Sequence, residues 1–211
     1  MKPLRSNSSP RRFCAGILLV PLGLAWLAGC GPAAKPGADE LPTLRTTTAR
    51  IRGFDPAQAA DQASIQAAGK VYEGLLQYAY WERPYRVEPL LAAGMPKISE
   101  DGLVWRIPLR RGIFFSDDPC FAATGGKGRE LVAQDLVYSI LRIADVKVGS
   151  GGYWVFRGKI AGLDEFREAS RSDAPTDYGR AVAGLRAVGS HELEIRLTAP
   201  YPQLPWVLAM P

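Results

Sequence analysis

Leu103, Trp105, Ile107 and Leu109 alternate along the chain with Val104, Arg106, Pro108 and Arg110. That two-residue period belongs to a strand with one face in a core and the other in water. Leu193, Ile195 and Leu197 repeat it against Glu192, Glu194, Arg196 and Thr198. Glu100-Asp101-Gly102 supplies a turn before the first run and Arg111-Gly112 another after it, so a strand-turn-strand unit is predicted over about 96–115. Gly189-Ser190 predicts a hairpin joining the second run to the segment around Leu185 to Val188.

Between these strands the period changes. Val132, Leu136, Ile140 and Ile143 form one stripe within 131–144, the signature of an amphipathic helix. A second helix is predicted over 57–76, where Ile65, Ala68, Val71, Tyr72 and Leu75 recur at three and four positions. A Thr-rich strand over 44–51 precedes it, broken by Gly53-Phe54-Asp55-Pro56. Tyr78, Tyr80, Trp81 and Tyr85 crowd a Pro-containing loop, where burial against neighbouring loops is the commoner outcome and a ligand cleft the other. The charged stretch 164–180 reads as a solvated helix and loop. Residues 204–211 are apolar and need a docking surface, and a chain that stops on such a segment reads as a fragment of a longer protein.

The amino terminus has a processing logic. Lys2, Arg5, Arg11 and Arg12 precede an apolar run of 15 residues, Phe13 to Leu27, too short to span a bilayer that needs roughly 20. It closes on Leu27-Ala28-Gly29-Cys30, which resembles a lipobox, so residues 1–29 read as a lipoprotein signal peptide and Cys30 as its lipidated residue. A Pro/Ala/Gly/Lys-rich tether follows over 30–42, leaving 43–211 as one domain. The leader carries four of the chain's formal +5 charges, and the remaining +1 implies no nucleic-acid surface. With Cys14 in the leader and Cys30 lipidated, Cys120 has no partner in the chain.

Constellations for enzyme chemistry are missing. His191 is the sole histidine, read as an exposed or turn residue, and it cannot form a triad or a typical metal shell with one remaining cysteine. Gly125-Gly126-Lys127-Gly128 lacks the Ser/Thr and the earlier Gly of a phosphate loop, and Gly149-Ser150-Gly151-Gly152 lacks the spacing of a nucleophile elbow. No enzyme, cofactor or metal site is expected.

An ordered set of motifs carries a resemblance. Phe54-Asp55-Pro56, Tyr72-Glu73-Gly74-Leu75-Leu76, Ser99 to Trp105, Leu109 to Asp118, Ala133 to Arg142 and Leu193 to Leu197 resemble, in order, the solute-binding lipoproteins of peptide ABC importers, extracellular solute-binding protein family 5. The resemblance implies an α/β fold: the first lobe of a type II (cluster C) periplasmic binding protein, a mixed sheet with flanking helices, over 43–211, with the second lobe missing. It implies a protein that closes on a peptide or similar small solute in an interlobe cleft and delivers it to a membrane permease and its ATPase. Such a protein would work as a monomer, on the periplasmic side of the cell envelope, held to the membrane by lipid on Cys30. Arg52, Gly53 and Phe54, in the loop after the first strand, and Tyr153 and Trp154, in the loop after the 131–144 helix, are then the expected ligand contacts; for the two aromatics a core role is the competing reading. Another reading keeps the scaffold but makes the chain a surface-anchored interaction or signalling lipoprotein. The family often has Thr where this chain has Val132, so the helix cap must come from elsewhere, with Glu130 or the loop as the expected substitute.

Overall fold

The structure is a computed structural model that describes residues 49–210, within one compact unit, 47–211. The leader, Cys30 and the tether lie outside the described residues, as does most of the predicted first strand, whose last residues, Ala49 to Ile51, are irregular. In chain order come α1 (Gln62–Ala68), β1 (Leu76–Tyr78), β2 (Val87–Pro89), β3 (Lys97–Ile98), β4 (Val104–Pro108), α2 (Ala133–Ala144), α3 (Leu163–Ala169), β5 (Leu185–Ala187), β6 (Glu192–Arg196) and α4 (Leu204–Val207). Short 3-10 turns occupy Val146–Val148 and Gly151–Val155.

Four strands make one sheet in the order β3-β4-β6-β5, every neighbour antiparallel. The register sets Trp105 opposite Ile195 and Ile107 opposite Leu193, with Leu185 and Ala187 completing the row on β5. This face is the core side: Ile107, Leu193 and Ile195 are wholly buried and Trp105 nearly so, its indole N–H donating to the Gly102 carbonyl at 3.0 Å. On the opposite face Arg106 and Arg186 flank Glu194 from the two adjacent strands, Arg106 Nε at 3.0 Å and Arg186 Nη2 at 2.8 Å, and cover its carboxylate so that the residue is buried. The alternation therefore places both faces of β4 and β6 as expected. The predicted strand after Gly112 is reduced to one bridge between Phe114 and Glu130.

α2 lies across the core face. Its buried stripe is Ala133, Val137, Ile140, Leu141 and Ala144, whereas Leu136 and Ile143 are only partly buried at the margin. Val132 sits at the N-cap without a side-chain bond to the helix. The Asp135 carboxylate accepts the Val132 N–H at 2.9 Å, Arg129 forks onto Asp135, and the Ser190 carbonyl accepts the Ala133 N–H at 2.8 Å. Asp135 and Ser190 thus satisfy the first two donors of the helix start, and the Asp135 N–H, which a hydroxyl at 132 would accept, bonds to the Val132 carbonyl at 2.9 Å; Glu130 takes no part. Glu130 instead accepts the Gly112 N–H at 2.7 Å and faces His191 Nε2 at 3.2 Å; His191 is half-buried there rather than exposed.

The predicted 57–76 helix is short. It is seven residues, α1, capped by Asp61, whose carboxylate accepts the Ser64 N–H, and the chain leaves it at Gly69. Val71 and Tyr72, assigned to its inner face, are exposed, while Leu75 and Leu76 are buried because they open the β1–β2 hairpin. The carboxyl-terminal segment docks here, the Leu76 N–H donating to the Leu208 carbonyl with Leu204 and Leu208 buried. A Cβ at Gly74 would stand 2.9 Å from the Leu76 carbonyl oxygen and 3.1 Å from those of Leu208 and Met210, so glycine lets these backbones approach without displacement. The 164–180 stretch is less solvated than its charge suggests, since it buries Phe166 against the core and Ser170 as well.

Candidate solute-facing site

Two loops that are nearly a hundred residues apart in sequence meet beside the end of α2. The first carries Arg52, Gly53 and Phe54. Arg52 and Phe54 are exposed, and no atom lies within 4 Å of the Cβ position of Gly53, so this stretch faces open space. Its backbone is drawn in by Asp55, whose carbonyl accepts the N–H groups of Gln58 and Ala59 at 3.1 Å and whose carboxylate accepts that of Ala57. The second loop runs from Asp145 through Gly149 to Trp154. Gln58 Nε2 donates to the Val148 carbonyl at 3.1 Å, and a Cβ at Gly151 would be in ordinary contact with Ala60, which is how the loops touch.

Tyr153 and Trp154 part company at this point. Trp154 is 70% exposed and Tyr153 only 3%. Tyr153 hydrogen-bonds the Asp164 carboxylate through its hydroxyl and packs its ring under Arg167, 4.2 Å from ring centre to guanidinium carbon. Burial, then the bond to Asp164, raises the phenol's pKa above its ordinary range. Tyr153 is therefore packed within this unit, the core role that competed with ligand contact at this position: consecutive positions on a short 3-10 turn point in different directions, so one aromatic is buried and its neighbour is left outside. Trp154, with Phe54, supplies the apolar surface, and Arg52 the charge, its Nε 4.0 Å from Asp61.

Sequence reasoning missed the residues that assemble the site. The Arg142 guanidinium donates to both oxygens of Asp55, at 2.7 and 3.2 Å, joining α2 to the first loop across 87 positions. The bond to Arg142 holds the Asp55 carboxyl below its usual range. Asp145, buried, accepts the Lys147 N–H at 2.8 Å and the Tyr178 hydroxyl at 2.7 Å. Burial opposes its ionised form, and these bonds outweigh burial, so its pKa is also lowered. The Asp-Pro of the first loop reads in sequence as a chain break; only a charged side chain next to that break hints at a tie.

A separate aromatic surface lies on the β1–β2 hairpin. Tyr78, Tyr80, Trp81 and Tyr85 are all exposed rather than buried against loops, with Tyr80 edge-on to Trp81 and Tyr78 against Trp206. In the 115–128 loop, Lys127 is paired with Asp117 at 2.6 Å, and Cys120 is exposed. Among the described residues no cluster of three or more His, Cys, Asp or Glu side chains could hold a metal ion.

Comparison with known proteins gives this geometry a family. The periplasmic oligopeptide-binding protein OppA of Escherichia coli K12 is 28% identical over 98% of this chain and 34% of its own length. The periplasmic murein peptide-binding protein MppA of the same organism is 26% identical over 92% of the chain and 31% of its own. The chain thus spans about one third of the length of these relatives. Among solved structures, the pheromone receptor PrgZ superposes with a TM-score of 0.56 at 27% identity, covering 75% of this chain and 27% of that one. The E. coli murein tripeptide binding protein MppA superposes with a TM-score of 0.55 at 26% identity, covering 74% and 27%. The shared fold is that of type II periplasmic binding proteins, whose function is to bind solutes and not to catalyse reactions. The model of the bacterial extracellular solute-binding proteins, family 5 Middle, matches residues 86–211, well over half of the chain, and the chain belongs to that family.

Proposed function

We propose that residues 43–211 form one wall of a peptide-binding cleft, the first lobe of the substrate-binding lipoprotein of an ABC importer. The observation that carries this reading is the meeting of two loops that leave Phe54, Trp154 and Arg52 exposed beside one another's supports. Open backbone at Gly53 suits a ligand held through main-chain hydrogen bonds, and the aromatic surfaces suit side chains of varied shape. Peptide-binding relatives point to the same ligand class. In the whole assembly the lobe acts as a monomer on the periplasmic side, tied to the membrane by lipid on Cys30, and the loaded form docks on the permease that its ATPase drives.

A single wall buries too little of a ligand for tight binding, so the chain alone binds weakly. Titration of the ¹⁵N-labelled chain with tetra-alanine at millimolar concentrations tests the site. The amides of Arg52, Gly53 and Phe54 and the Trp154 indole N–H are expected to shift together. Shifts confined to other surfaces, or none, would overturn the assignment.

A further inference from the structure

We infer that the last turn of α2 sets the relative position of the two solute-facing loops, with Arg142 as the positioning residue for the loop that carries Arg52, Gly53 and Phe54. The inference rests on the proposed function for what the loops face, and on geometry alone for the clamp.

Among the described residues, no strand ladder holds the first loop. Its backbone hydrogen bonds are made within itself or to its own following helix: Gln58 and Ala59 to the Asp55 carbonyl, Ala57 to the Asp55 carboxylate, and Arg52 N–H to Ser64 Oγ at 3.0 Å. Among the described residues, two side-chain ties join it to the rest of the unit. One is the neutral bond from Gln58 to the Val148 carbonyl, made in the exposed layer. The other is the two-pronged Arg142–Asp55 pair, with both side chains about one-third exposed. A forked, charge-assisted pair fixes orientation as well as distance, which a single neutral bond does not.

Asp55 connects the two scales of order. Its carboxylate engages Arg142 and the Ala57 N–H, while its carbonyl nucleates the turn that includes Gln58. Releasing the carboxylate from Arg142 therefore loosens the turn, and Gly53, one residue before Phe54, transmits that freedom to the exposed residues. Three residues after Arg142, Asp145 ends α2 and caps the 3-10 turn that leads toward Trp154. One rigid helix end thereby holds both loops, and α2 itself is anchored in the core by Ile140, Leu141 and Ala144.

The test is residue-resolved hydrogen exchange on the 211-residue chain and its Arg142→Gln variant. The amides of Ala57, Gln58 and Ala59 are expected to exchange about tenfold faster or more in the variant, while those paired between β4 and β6 stay as in the parent. Charge exchange in the Asp55→Arg, Arg142→Asp double variant is expected to recover most of the protection at Gln58 and Ala59, whose acceptor is the backbone carbonyl of residue 55, while Ala57, which loses its carboxylate acceptor, stays fast. Should Arg142→Gln loosen the whole unit, Arg142→Lys is read by the same criterion, since Lys keeps the charge and loses the fork. Unchanged loop exchange with an intact β4–β6 ladder would overturn the clamp.

The tetra-alanine titration separates this inference from the reading beneath it. In Arg142→Gln the shifts at Arg52 to Phe54 should be lost and those at the Trp154 indole kept. If the parent chain shows no peptide shifts while the loop exchange still accelerates, the clamp stands and the solute reading falls.

Discussion

Replacing Trp105 by alanine removes the largest side chain from the core face of β4. The residue is 4% exposed, stands opposite Ile195 across the β4–β6 ladder, and has its indole N–H bonded to the Gly102 carbonyl. Burying roughly 200 Å² of indole is worth about 5 kcal/mol at about 25 cal/mol per Å², an upper bound. Partial collapse of the cavity and the methyl retained by alanine bring the expected loss to about 3–5 kcal/mol. Arg106 is the internal control, one residue away on the other face. Its side chain is 52% exposed and its partner Glu194 keeps Arg186 at 2.8 Å, so Arg106→Ala should cost less than about 1 kcal/mol. Urea unfolding followed by far-ultraviolet circular dichroism measures both. Equal losses would refute the assignment of faces on which the whole sheet rests.

Other outcomes follow from named contacts. The bond to Arg186, then those to Arg106, hold the Glu194 carboxyl below its usual value, so its contribution to stability is present above the ordinary glutamate range, near 4.5, and is lost as pH falls through the lowered folded value. Thermal melts of the parent should thus fall off in acid more steeply than those of Glu194→Gln; matching slopes would contradict this. A Cβ at Gly128 would stand 1.7 Å from the Phe115 carbonyl oxygen, so Gly128→Ala should destabilise the 115–128 loop by about 1–3 kcal/mol, and a variant with unchanged melting would show that the loop is free to move. For the leader, intact-mass analysis of membrane-extracted protein should show cleavage before Cys30 with acyl chains on that residue, more than one being needed for stable anchoring; an unlipidated chain retaining Met1 would refute it.

The strands were legible where one side chain in two is apolar and nothing else competes. β4 and β6 meet that condition, and Gly189, with φ of 67°, turns the β5–β6 hairpin where Gly-Ser predicts it. Around Val71 and Tyr72 the same kind of reasoning fails. Their three-and-four spacing extends the apolar pattern of α1, but Leu75 and Leu76 are buried by pairing with β2 and by Leu208, the latter more than a hundred residues away, and periodicity contains neither contact. The α2 stripe is displaced for a related reason: Ala133 and Ala144 carry little hydrophobic weight in sequence yet are wholly buried. At the site, Phe54, Tyr153 and Trp154 were named through the resemblance, and for the two adjacent aromatics a core role stood open; which of them is buried depends on Asp164 and Arg167, beyond the reach of local sequence. The tie between Asp55 and Arg142 spans 87 positions, about half of the unit, and only the folded chain brings them together.

The central claim is that the solute meets the Phe54 and Trp154 loops. The β1–β2 hairpin offers a competing aromatic surface at Tyr80 and Trp81, 75% and 89% exposed. Photocrosslinking of a short peptide bearing a diazirine side chain to the chain, with adducts mapped by mass spectrometry, decides between the two surfaces. The account predicts adducts concentrated in residues 52–54 and 151–154 and competed away by excess unlabelled peptide. Competed adducts concentrated on Tyr80 and Trp81, with none in those two loops, would contradict it.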